Sequence, residues 1–328
     1  MVRQPPGERA TELLVVAGEA SGDLYAARLL TALRGHVPGA LHAFGLGGEH
    51  LAAEGFDAVA NNSEISVVGL AEVLRVWRRA KRIFDQLLAE AERRKPAVAV
   101  LVDFPEFNLR LAPELARRGV RVVYYISPQL WAWRKGRVKT VARAVDTLLV
   151  LFPFEVDFYR RHGVSALHVG HPLVDEVPHL THRWDGPAPA PDEPRRLVLL
   201  PGSRRSEVAR LLPAMIGAVE ALSRDVPVSV RLLRAPTIER SALEAQVAAA
   251  GVPIEIVEGG DAGRFAVLAD AHLALCASGT ATLETGLVGT PMLVLYRVGM
   301  ITGLMARLLV DLPHFSLVNL VLDRPAVP

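Results

Sequence analysis

Apolar positions along the chain fall into two textures. Short, nearly continuous runs of branched aliphatic residues alternate with longer stretches in which apolar residues return every three or four positions. The short runs read as buried parallel strands and the longer stretches as amphipathic helices. Strands are predicted at Leu13–Ala17, Leu41–Gly45, Ala97–Val102, Val120–Ile126, Thr147–Leu151 and Ala166–Val169. The pattern then lapses. Residues 178–194, "PHLTHRWDGPAPAPDEP", are rich in proline, lack an apolar period and read as a linker. The alternation resumes at Leu197–Leu200, Ser229–Leu233, Ile254–Val257, Leu273–Cys276 and Met292–Tyr296. Two such series predict two doubly wound α/β domains, residues 1–177 and 195–328. Ligands of these sheets lie beyond the carboxyl ends of the strands and, with two domains, in the cleft between them.

Composition narrows the class. The chain has 328 residues, is 51% hydrophobic and carries a formal net charge of +2. Core material is ample, and the broad basic surface of a general nucleic-acid binder is missing. Cys276 is the only cysteine, which excludes an internal disulfide and fits a reducing compartment. The opening "MVRQPPGERATE" lacks the apolar centre of a signal peptide, and no run is long enough to span a bilayer. A cytoplasmic chain is expected.

Candidate chemistry sits where strands end. "LLVVAGEASGD" closes a strand at Gly18 and opens a helix with Glu19, Ser21 and Gly22. It lacks both the dinucleotide fingerprint and the Lys-Ser/Thr of an NTPase loop. In "AVLVDFPEFN", Asp103 ends a strand, with Glu106 and Asn108 in the same loop. Asp103 there either takes a proton from a hydroxyl or, like Asn108, caps the next helix. "SPQLWAWRKGRVK" sets Trp131 and Trp133 beside Arg134, Lys135, Arg137 and Lys139. This is either a ring and phosphate site or a solvated basic helix over packed tryptophans.

"LLPGSRRSEV" and "ASGTATLE" share one logic. Each passes from a strand through a small polar turn (Gly202, Ser203 and Arg204; Ser278, Gly279 and Thr280) into a helix, with Glu284 one turn further. Two such turns clasp a diphosphate while Glu284 accepts from ribose hydroxyls, or they are simply two capped helices. Residues 69–88 are amphipathic, with Leu70, Val73, Leu74, Trp77, Phe84 and Leu87 on one face and Arg75, Arg78, Arg79 and Arg82 on the other. Val67 and Val68 extend the apolar side. That face is either core or a patch for acyl chains on an anionic membrane. The pairs His168/His171 and His179/His182 have no further ligands nearby in sequence, so no metal is assigned.

Taken together, "VAGEASGD", "VDFPEFN", "YYISPQLWAWRKGRVK", "LFPFE", "VGHP", "LLPGSRRSEV", "ASGTATLE" and "VLYRV" resemble the lipid-A-disaccharide synthase family of Gram-negative bacteria. They run in order over essentially the whole chain. The resemblance implies a GT-B fold of two Rossmann-like domains, with the nucleotide mainly on the second. It implies an inverting transfer from UDP-2,3-diacylglucosamine to 2,3-diacylglucosamine 1-phosphate (lipid X), giving the β-1,6 disaccharide 1-phosphate and UDP. Asp103 matches the family's base. Glu19, Ser21, Gly22, Trp133, Arg134 and Asn319 become substrate positions, and Val67, Val68, Leu70, Val73, Leu74 and Trp77 a membrane patch. UDP-sugar is a substrate, so no cofactor is expected. The location implied is peripheral, on the cytoplasmic face of the inner membrane, and a homodimer is left open.

Three features depart from the family pattern. Asp-Ala-Pro-Asp-Phe-Asn reads Asp-Phe-Pro-Glu-Phe-Asn here, Leu-Pro-Asn reads Leu317-Val318-Asn319, and with the sequence stopping at Pro328 the family's C-terminal crossover helices are expected to be missing and the second domain incomplete. The alternatives are a UDP-N-acetylglucosamine 2-epimerase-like enzyme, which would leave "WAWR" without a task, and a binding remnant without turnover.

Overall fold

The computed structural model describes residues 10–65, 73–132, 135–177, 190, 192–297 and 316–328. The chain divides into two compact units, Met1–His171 and Pro172–Pro328. The division falls ahead of the expected boundary at residue 177. Its cause is local: Val177 packs into the second unit's core, and Glu176 pairs with Arg264 at 3.4 Å.

In the first unit seven strands form one parallel sheet: β1 (Thr11–Ala17), β2 (Leu41–Gly47), β3 (Asp57–Asn61), β4 (Val98–Val102), β5 (Arg121–Tyr125), β6 (Thr147–Val150) and β7 (Ala166–His168). Their spatial order is β3-β2-β1-β4-β5-β6-β7, so the chain reverses its direction of travel between β1 and β4. The central strands bury both faces, which is why they read as unbroken apolar runs. One face receives α1 (Ala20–Arg34) through Ala26, Ala27 and Leu30. The other receives α3 (Val73–Arg94), α4 (Pro105–Arg117), α5 (Val138–Ala144) and α6 (Pro153–Arg161) around Ile83, Leu87, Leu111, Val141 and Tyr159. The short α2 (Glu49–Ala53) follows β2.

The second unit repeats the plan with β8 (Arg195–Leu200), β9 (Val228–Arg234), β10 (Ile254–Glu258), β11 (Leu273–Ala277) and β12 (Met292–Leu295), in the order β10-β9-β8-β11-β12. The reversal lies between β8 and β11. The short α7 (Leu173–Glu176) precedes β8, and α8 (Arg205–Leu222) follows it and buries Val208, Leu211, Leu212 and Met215. Helices α9 (Arg240–Val247), α10 (Asp261–Asp270) and α11 (Thr280–Val288) follow β9, β10 and β11, and residues Leu317–Leu322 form a last short helix. Among the described residues eleven strands match their predicted positions within two residues. The twelfth, β3, is an edge strand of sequence DAVAN that is largely exposed, so it carries no apolar run to read.

Candidate active site

The reversal between β1 and β4 marks the switch point at the carboxyl edge of the first sheet, where doubly wound folds place their chemistry. Ala17 lies opposite Val102. The next residues are therefore neighbours: Gly18 and Glu19 after β1, Asp103 after β4. Asp103 and Phe104 are both left-handed, at φ 45° and 48°. The Asp103 amide donates to the Tyr125 carbonyl at 2.9 Å. Its carbonyl accepts from the Tyr124 hydroxyl at 2.7 Å and from Asn108 Nδ2 at 2.9 Å. Burial pushes the Asp103 carboxyl up to about 7, the Glu19 carboxylate pushes the same way, and the Phe104 amide opposes them. A carboxyl that ionises near neutrality suits a general base.

The capping alternative is not realised. The residue capping α4 is Phe104, without a side-chain hydrogen bond, and Asn108 is fully buried, its Nδ2 also 3.3 Å from the Val102 carbonyl. The Phe104 ring lies over Gly18, where a β-carbon would sit 2.3 Å from it, and stacks on Phe107 at 5.5 Å between centroids. Gly18 thus accommodates the bulky ring beside the aspartate. Glu19 and Ser21 are exposed at the start of α1, whereas Gly22 is buried. Asp23 plays a structural part: it is buried and accepts from the amides of Gly48 at 2.6 Å and His50 at 2.9 Å, tying α1 to the turn after β2.

The segment after β5 is held by a carboxylate that sequence reasoning missed. Glu155 is buried and accepts from Ser127 Oγ at 2.7 Å, Trp131 Nε1 at 3.2 Å and the amides of Leu151 and Phe152 at 3.1 and 3.0 Å. Burial raises its pKa, and those donors pull the other way. The signal available was Glu155 three residues after Phe152 at a Pro-initiated helix, the spacing of a reciprocal cap. Trp131 is packed underneath, as the bland reading had it. Trp133 and Arg134 lie outside the described residues. Arg137 forks onto Glu106 through two bonds of 2.9 Å, which leaves Glu106 a poor substitute for Asp103 as base. Lys139 and Arg143 line a groove of about 480 Å³ with Arg117, Thr140 and Pro113.

In the second unit both polar turns sit at one edge. Leu200 lies opposite Cys276, so Pro201–Arg204 and Ser278–Thr280 emerge side by side from β8 and β11. Neither α8 nor α11 has a side-chain cap, so side chains do not occupy their first amides. Gly202 has φ 107°, and a β-carbon there would meet Glu207 at 2.6 Å. Arg204 is exposed and pairs with Glu207 at 2.8 Å; Ser203 is held through its carbonyl by Thr237 Oγ1 at 2.6 Å. Glu284 is largely buried near Arg264, 3.5 Å away, and the same guanidinium reaches Glu176. Asn319 is buried and spends its amide on the chain's own backbone, donating to the Val327 carbonyl and accepting from the amides of Ala326 and Val327. These bonds anchor the short last helix to the backbone that follows it.

The amphipathic stretch divides. Ile83, Leu87, Leu88 and Ala91 of α3 are core, whereas Trp77 is 57% exposed, with Arg78, Arg79 and Arg82 exposed beside it. Val67, Val68 and Leu70 lie outside the described residues, and Val73 and Leu74 open α3. His168 Nε2 is 3.1 Å from the Leu151 carbonyl and His171 packs on Phe152; His179 and His182 lie outside the described residues. Among the described residues no group of three or more His, Cys, Asp or Glu is placed to hold a metal ion, and no helix is long and apolar enough to cross a membrane.

Two doubly wound parallel α/β units define the class by fold: the GT-B architecture. The UDP-N-acetylglucosamine 2-epimerase of Neisseria meningitidis, solved with UDP-N-acetylglucosamine, resembles the chain with a TM-score of 0.62, at 13% identity over 95% of this chain and 90% of that one. MurG of Acinetobacter baumannii does so with a TM-score of 0.55, at 14% identity over 92% and 82%. Those identities speak for fold alone. Sequence then separates the members of the class. The model of the lipid-A-disaccharide synthetase family matches residues 13–328. The lipid-A-disaccharide synthases of Myxococcus xanthus and Koribacter versatilis are 46% and 44% identical, each match covering 96% of this chain and 82% of the relative. The chain belongs to the lipid-A-disaccharide synthase family and is a glycosyltransferase of lipid A disaccharide formation. The epimerase alternative rests on fold and yields to it.

Proposed function

We propose that the chain transfers a diacylglucosamine unit from UDP-2,3-diacylglucosamine to the 6-hydroxyl of 2,3-diacylglucosamine 1-phosphate, with inversion, releasing UDP. The observation that carries this reading is Asp103, an acid at the switch point of the first sheet with a pKa near 7. It takes the proton of the acceptor hydroxyl as that oxygen attacks the anomeric carbon, and the bond to UDP breaks. The uncapped helix starts after Gly202–Arg204 and Ser278–Thr280 support binding of the diphosphate, since their amides stabilise the charge that grows on the leaving group. Glu284, held by Arg264, suits the ribose hydroxyls. UDP-sugar is substrate, and neither cofactor nor metal enters this reading. Exposed Trp77 with Arg78, Arg79 and Arg82 supports peripheral contact with an anionic membrane surface.

The test mixes the folded protein with both lipid substrates and measures disaccharide 1-phosphate and UDP. Equal amounts of the two products are expected, with donor untouched when acceptor is left out. Consumption of UDP-N-acetylglucosamine without acceptor would return the epimerase reading. UDP binding without any turnover would leave a binding protein.

A further inference from the structure

The turn that carries Asp103 is sterically unfavourable, and two buried side chains are spent on it. Left-handed backbone is costly for residues with a β-carbon, and here two follow in succession without glycine, Asp103 at φ 45° and Phe104 at φ 48°. Such a pair persists only where its surroundings hold it. The Asp103 carbonyl is held twice, by the Tyr124 hydroxyl at 2.7 Å and by Asn108 Nδ2 at 2.9 Å. Both side chains have no exposed surface. Tyr124 lies in a largely apolar cluster that also holds Tyr159, beside Val122 and Leu148 in the sheet's core. Phenylalanine would fill that volume equally well. The hydroxyl therefore has one evident use, the bond to Asp103. Asn108 stands one turn into α4, where an asparagine adds nothing to helix propensity.

We propose that Tyr124 and Asn108 are positioning residues for catalysis: by hydrogen-bonding the Asp103 carbonyl they hold the left-handed turn that keeps its carboxyl beside Glu19 at the sheet edge. The proposal rests on Asp103 being the base. Neither residue touches substrate in this assignment. Without the Tyr124 hydroxyl the turn relaxes, the carboxyl gains solvent, and its pKa falls from about 7 toward the ordinary carboxylate range.

The experiment is a double-mutant cycle on disaccharide formation, with Tyr124→Phe and Asn108→Ala each made alone and on Asp103→Asn. Alone, Tyr124→Phe is expected to lower kcat about five- to tenfold, the worth of about one hydrogen bond, with KM for both substrates held within about twofold. The acid limb of its pH–rate profile moves below that of the parent. On the Asp103→Asn background the same change costs less than about twofold, because the group it positions can no longer act. Asn108→Ala, where it folds, shows the same coupling; where it does not, Tyr124→Phe decides. An undiminished loss on the Asp103→Asn background, an acid limb that stays in place, or an unchanged kcat overturns the proposal while leaving Asp103 as base. Near-wild-type turnover by Asp103→Asn alone overturns the base reading and the positioning role with it.

Discussion

The two sheet edges solve opposite problems. At the end of β4 the proposed chemistry belongs to a side chain, and the chain forces residues with β-carbons into left-handed backbone to present it. Asp103, Phe104 and, after β5, Ile126 have φ of 45°, 48° and 64°. Buried donors and the Phe104 ring hold that turn in place. At the end of β8 the proposed diphosphate site would use backbone amides, and the positive φ falls on a glycine, Gly202 at 107°, in an open turn with exposed Ser203 and Arg204. A base must keep one side chain fixed in a partly dry setting. An anion site must keep amides bare and reachable. The first needs burial and tolerates strain, whereas the second needs glycine and solvent.

Crossed substitutions sharpen this contrast. The largest effect is expected of Asp103→Asn, which keeps shape but cannot take a proton: single-turnover disaccharide formation falls about 10²–10⁴-fold while calorimetric UDP affinity stays put. Little change in rate would move the base elsewhere. Gly202→Ala should do the converse. Its β-carbon meets Glu207 in a backbone that alanine resists, a strain of about 1–3 kcal/mol, so UDP binds about tenfold or more weakly. Gly217→Ala, in the middle of α8 with nothing within 4 Å, instead raises the melting temperature, worth about 0.5–1 kcal/mol. If both glycine variants behave alike, the Gly202 turn is not special.

Arg204→Ala tests the same edge more gently. Its guanidinium is exposed and shared with Glu207, so a loss of about tenfold in UDP affinity is expected, near the lower end for a bond to a charged group. Unchanged affinity in a folded variant would remove Arg204 from the site. The base edge also has a signature in stability. Asp103 titrates near 7 in the folded chain against about 3.9 unfolded, so its contribution is full below about pH 4 and is lost as pH rises through 7. Melting of Asp103→Asn should match the parent near pH 4 and exceed it at pH 8; curves that stay parallel would mean the carboxyl is not buried enough to matter. The smallest effect belongs to the membrane reading. The parent should sediment partly with anionic phospholipid vesicles at low salt, and Arg78→Glu with Arg79→Glu should reduce this, the difference fading as salt screens it. A parent that ignores vesicles at low salt would leave Trp77 and its arginines as ordinary surface.

What the sequence alone determined was what repeats locally. Apolar runs such as Val98–Val102 bury both faces, so they announced central strands and, by alternation, two doubly wound units. Strand ends followed by small polar residues announced the polar turns at the sheet edges, and the matching segments announced the family. Tertiary structure decided the rest, because those facts depend on residues far apart in the chain. Packing at the β1–β4 edge buries Asp103, which raises its pKa most, and brings up the Glu19 carboxylate, which pushes the same way; no local window contains either effect. The same pairing lays the Phe104 ring on Gly18. Pairing of β4 with β5 brings the Tyr124 hydroxyl to the Asp103 carbonyl, which decides that this aspartate is a held side chain rather than a helix cap. Asn319, a substrate position only by family resemblance, sends its amide to the backbone of Ala326 and Val327, a partnership that the linear sequence does not show. A buried polar group must find partners wherever the fold supplies them, and spacing along the chain does not say where that will be.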